Sequence, residues 1–129
     1  MSEQSGTPVV SLLDREAILG HVGDIETREV SVPEWGGKVR VRGLTASERD
    51  DFEASLVRNR NGKREVNTRN SRARLLTYGL IDADGNKLFK PADIETLGEL
   101  PGSIVDKLTS AIQELSYIGD DDIEELEGN

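Results

Sequence analysis

The sequence contains no cysteine, which removes disulfides, thiolate chemistry and sulfur-ligated zinc or iron together. It has a single histidine, His21, so a Ser-His or Cys-His nucleophilic pair has no support. Aromatic residues number five: one Trp, two Tyr and two Phe, so the core must be mostly aliphatic. No apolar run approaches the roughly 18 residues of a membrane-spanning helix. The first residues, M-S-E-Q-S-G-T-P, show no basic stretch followed by an apolar one, so no secretory signal is expected. Neither a Walker loop nor a G-x-G-x-x-G phosphate cradle is present. No catalytic residue, metal ligand or cofactor is expected, and the expectation is a soluble, cytoplasmic, non-enzymatic protein.

What is present is an acidic chain of 129 residues with a net charge of -9. That length fits one domain. Leu, Ile, Val and Phe total 34, above the roughly one-fifth share below which a charged chain stays disordered. Net acidity argues against nucleic-acid binding, because phosphate contacts need a positive face.

Residues 1–10 read as a flexible polar tail. A short helix is expected after Ser11, with Leu12, Leu13, Ala17, Ile18 and Leu19 near one face and Gly20 as its stop. From 27 to 42 the chain alternates in the manner of a β-hairpin, with Val30, Val32, Val39 and Val41 on one face and Lys38, Arg40 and Arg42 on the other. The five-residue P-E-W-G-G connection carries Trp35. Two readings of that indole stand side by side: it folds back over a neighbouring helix, or it anchors a partner. Thr45-Ala46-Ser47-Glu48 is a capping box opening a helix to about residue 58. N-R-N-G-K-R then reads as a basic loop, and a helix follows from about 68 to 80. D-A-D-G-N-K-L-F is a tight turn. Asp82, Asp84 and Asn86 do not match a calcium loop, since Gly85 stands at the fourth position and Asp93 at the twelfth. Pro91 starts a short helix ended by Gly98. The clearest helix begins at Ser103, with Ile104, Val105, Leu108, Ala111, Ile112, Leu115 and Ile118 as a continuous stripe expected to form the central core helix. The expected fold is therefore α+β: a mainly helical small domain over 11–118 with one β-hairpin, followed by an acidic tail over 119–129.

Charge is segregated along the chain. Arg58, Arg60, Lys63, Arg64, Arg69, Arg72 and Arg74 stand against Glu65 alone, a local charge of +6. From Glu114 to the end the charge is -7 with no basic residue. Either both are solvated surfaces, or they are complementary docking faces. Trp35 and the seven basic residues are the candidate partner-binding positions.

The ordered set V-P-E-W-G-G-K-V-R-V-R-G-L-T-A-S-E-R-D-D-F-E (32–53), L-L-T-Y-G-L-I-D-A-D-G-N-K-L-F (75–89), D-I-E-T-L-G (93–98) and K-L-T-S-A-I-Q-E-L-S (107–116) resembles the tail assembly chaperones of long-tailed bacteriophages. The resemblance implies a protein that holds the tape measure protein before the tail tube polymerises, contacts the major tail tube protein and associates with itself. It implies action in the host cytoplasm and absence from the mature virion. It also implies ribosomal slippage near the stop codon, and Glu127-Gly128-Asn129 is compatible with a slippery heptamer, so the chain reads as the short form of a frameshifted pair. Two other classes fit the residues: a structural head–tail or tail component of the virion, and a small acidic regulatory or inhibitor protein.

Overall fold

The computed structural model describes residues 11–117. The expected tails over 1–10 and 119–129, and Ile118 at the end of the helical stripe, lie outside the described residues. Described elements run α1 (Arg15–Leu19), β1 (Thr27–Val32), β2 (Gly37–Arg42), α2 (Ala46–Ser55), β3 (Val57–Arg60), β4 (Lys63–Val66), α3 (Ser71–Gly79), β5 (Leu80–Ile81), α4 (Ile94–Leu97) and α5 (Gly102–Ser116). The fold is α+β, as expected, but one hairpin was too few. A three-stranded antiparallel sheet has the order β1-β2-β5, and β3 and β4 form a second hairpin.

The alternating valines set the register of the first hairpin. Val30 lies opposite Val39 and Arg28 opposite Val41, so Arg28 shares the apolar face with Val30 and Val32. Its guanidinium meets Glu114 of α5 at 2.7 Å at the edge of that face. Glu29 and Arg40 pair at 3.1 Å on the opposite, solvent face, one residue out of step. The connection is a turn of 3-10 helix, Pro33–Trp35, closed by Gly36 at φ 76°; Gly37 belongs to β2 instead of the turn.

α5 is the central core helix expected from its stripe. Leu108 and Ile112 are completely buried, alongside Val32, Val41, Phe52, Leu56 and Leu76. α3 lies parallel to α5: Arg72 and Asp106 pair at 2.7 Å near their starts, and Gly79 sits directly on Ile112 near their ends. A Cβ at Gly79 would lie 2.4 Å from Ile112 Cδ1, so the helices approach closely because the residue has no side chain.

Three departures from the sequence expectation have a local reason. α2 ends at Ser55 because the chain turns at Leu56 into β3. α3 starts at Ser71, since Asn70 adopts the left-handed conformation at φ 58° and cannot continue a helix backwards. The expected basic loop is a hairpin, with Arg60 opposite Lys63 and a two-residue Asn61-Gly62 turn at φ 54° and 76°. Two successive positive φ angles are the type I′ geometry that Asn-Gly favours and that matches strand twist.

Candidate functional site

The apolar stripe near the N-terminus does not face the core. No residue of α1 is buried, and Leu12, Leu13, Ile18, Leu19 and Val22 are all large, exposed hydrophobics. Asp14 caps the helix by accepting from Ala17 N–H at 2.9 Å. His21 and Asp24 pair at 2.8 Å just beyond it. A five-residue helix is far below the length that holds together alone in water. An apolar cluster of this kind on the surface of a folded domain marks a site of interaction. Sequence periodicity finds the stripe but is silent on whether the core or a partner covers it.

Trp35 is 45% exposed at the tip of the first hairpin and lies outside the core cluster. β2 separates it from the capped start of α2, so the indole and Thr45 stand at opposite ends of that strand. The capping box itself is formed: Thr45 Oγ1 accepts from Glu48 N–H, and Glu48 Oε1 accepts from Thr45 N–H.

The seven basic candidates gather at one end of the molecule. Arg58, Arg60, Lys63 and Arg64 are on β3–β4, while Arg69, Arg72 and Arg74 surround the start of α3. Three have carboxylate partners: Arg58 with Glu65 at 3.4 Å, Arg69 with Glu95 at 3.3 Å, and Arg72 with Asp106 at 2.7 Å. Arg60, Lys63, Arg64 and Arg74 have none among the described residues, and Arg74 donates instead to the Arg69 carbonyl at 3.2 Å. A cavity of about 220 Å³ between the first turns of α3 and α5 is lined by Thr68, Asn70 and Arg72 together with Leu97, Leu100 and Val105.

One charged cluster was not foreseen. Glu48 Oε2 accepts from Arg42 and from Lys87, both at 2.6 Å. Burial opposes ionisation of Glu48, but the hydrogen bonds from Arg42, Lys87 and Thr45 N–H outweigh it and hold its carboxyl down at about 2. Lys87 also lies 5.2 Å over the Tyr78 ring. The Tyr78 hydroxyl is pushed up by burial and by the nearby Asp51 and Glu48 carboxylates. This cluster joins β2, α2 and the 82–90 segment, which is a structural task. Asp82 ties its own turn, with Oδ1 accepting from Asp84 and Asn86 N–H at 2.9 Å each. The Asn86 bond is the largest cause of its lowered pKa. Turn chemistry accounts for Asp82, Asp84 and Asn86.

Among the described residues no helix is long and apolar enough to cross a membrane. No three His, Cys, Asp or Glu side chains among them are grouped to hold a metal ion. The surfaces therefore present apolar area at one place and positive charge at another.

Comparison with known proteins adds three findings. A family model described as phage tail assembly chaperone matches residues 13–129. Comparison with individual curated proteins finds no match. Among solved structures, the tail assembly chaperone of bacteriophage HK97 superposes with a TM-score of 0.56 at 18% identity, covering 78% of this chain and 94% of that one. At that identity the likeness speaks for the fold.

Proposed function

This chain belongs to the phage tail assembly chaperone family, and from that premise we propose that it binds the tape measure protein, helps to recruit tail tube protein, and associates with itself during tail morphogenesis. It acts in the host cytoplasm and is left out of the finished particle. The observation that carries the reading is the uncovered apolar surface of Leu12, Leu13, Ile18, Leu19 and Val22. A chaperone of a long helical client needs apolar surface that its own fold leaves open, and an amphipathic helix is the partner such a surface fits.

Co-expression with the tape measure protein of the same phage, followed by affinity capture, tests this. The expected result is a complex that Leu13→Asp with Ile18→Asp weakens at least tenfold, with the fold unchanged because neither side chain is buried. Failure to capture the tape measure protein overturns the reading. Recovery of the chain in purified virions favours a structural component instead.

A further inference from the structure

The two oppositely charged segments leave the domain at opposite ends. α5 fixes the geometry. Its last residue, Ser116, accepts from Leu44 N–H at 2.8 Å, one residue before the N-cap of α2. α2 then carries the chain away from that end and hands it to β3 at Val57, and the chain returns through Thr68 to the start of α5, where Thr68 and Gly102 line one cavity. The basic hairpin therefore stands at the beginning of α5, and the acidic segment 120–127 leaves from its finish. With 15 residues, α5 separates the two ends by roughly 22 Å.

That segment reads D-D-D-I-E-E-L-E, six carboxylates around Ile123 and Leu126. The end of the molecule that carries Arg60, Lys63 and Arg64 offers the complement: three hairpin cations without a described carboxylate partner, and, from Thr68 just past β4, a cavity of about 220 Å³ that Leu97, Leu100 and Val105 help to line. The space suits one aliphatic side chain. Within one chain the match is out of reach for Ile123, because the six residues 118–123 extend at most about 20 Å and must first reverse direction at Tyr117.

We propose that the acidic segment 120–127 of one copy docks on the β3–β4 hairpin and the cavity between α3 and α5 of a second copy, with Ile123 as the apolar anchor. Copies then join head to tail. The interface is heterologous, so it propagates as an open chain or closes as a ring. This deepens the self-association proposed above by giving it two surfaces and a direction, and it rests on that reading for the requirement that copies meet.

Complementation between two variants of the full chain tests it. One variant has a reversed basic end: Arg60→Glu, Lys63→Glu and Arg64→Glu. The other has a neutral acidic segment: Asp120→Asn, Asp121→Asn, Asp122→Asn, Glu124→Gln, Glu125→Gln and Glu127→Gln. All the substituted groups are exposed or outside the described residues, and circular dichroism checks the fold. In sedimentation velocity at low salt, the wild type is expected to grow in mass with concentration and each variant alone to remain monomeric. The equimolar mixture is expected to form 1:1 dimers and stop there, since one variant keeps the intact segment and the other the intact basic end. High salt should weaken wild-type association at least tenfold, because exposed pairs are screened over about 3 Å at 1 M. A monomeric mixture, a wild type that stays monomeric at low salt, or variants that associate like the wild type each overturn the proposal. Capture of the tape measure protein is scored separately, so a monomer that still captures it overturns only the head-to-tail join.

Discussion

Arg42 and Glu48 form an ion pair 2.6 Å long, with side chains only 12% and 16% exposed, that ties the end of β2 to the first turn of α2. The same carboxylate closes the capping box through Thr45 N–H at 2.9 Å. One side chain thus completes a helix start and fixes that helix to the sheet.

The pairing makes part of the stability pH-dependent. Glu48 is held at about 2 in the folded chain against an ordinary 4.5. A lowered folded pKa means that its contribution is fully present above about 4.5 and is lost as pH falls towards 2. The full linkage value is about 3 kcal/mol, at roughly 1.4 kcal/mol per pH unit, and solvent on the Lys87 side lowers the expectation to about 2 kcal/mol. Urea titrations at neutral pH and below pH 2 should show Glu48→Gln costing about 2 kcal/mol at neutral pH and almost nothing in acid. An equal cost at both pH values would refute the linkage.

Gly43 is expected to tolerate no side chain. A Cβ there would lie 2.8 Å from the Leu115 carbonyl oxygen, which is backbone and cannot rotate aside. Gly43→Ala should cost about 1–3 kcal/mol by forcing the β2–α2 connection off α5. A melting temperature equal to that of the wild type would show that the connection relaxes freely.

Leu108 is completely buried at the centre of α5. Leu108→Ala should cost about 3 kcal/mol, and Leu108→Asp more, by burying an unpaired carboxylate. Chemical denaturation measures the first; loss of folded protein reports the second.

Trp35 carries no core packing, so Trp35→Ala should leave the melting temperature within about 2 °C of the wild type, as surface substitutions do. The indole being the only tryptophan, its fluorescence also reports any partner that covers the hairpin tip. A large drop in melting temperature would place the ring in the core after all.

Much of this architecture is legible in the residues. The α5 stripe, the alternating valines and the Thr45–Glu48 box each encode their element locally, and each forms where the pattern lies. The second hairpin was equally legible, because Asn61-Gly62 is a strong two-residue turn signal; a run of cations on both sides hid the modest Val57 and Val66 alternation. Other features are not local. Arg42, Glu48 and Lys87 are brought together by tertiary packing, and nothing in their spacing announces it. The clustering of the seven basic residues at one end follows from α2 reversing the chain direction against α5. Whether Ile18 faces a core or a solvent is decided by what lies opposite, which a single stripe does not contain.

The N-terminal apolar face has a consequence for amide hydrogen exchange. Among the described residues the core cluster contains none before Val30, and no residue of α1 is buried. Its amides should therefore exchange within seconds while those of α5 persist to the limit of global unfolding. A client helix laid across Leu13 and Ile18 would slow exchange in α1 specifically. The segment that contributes least to the free protein's stability is thus its most sensitive reporter of occupancy.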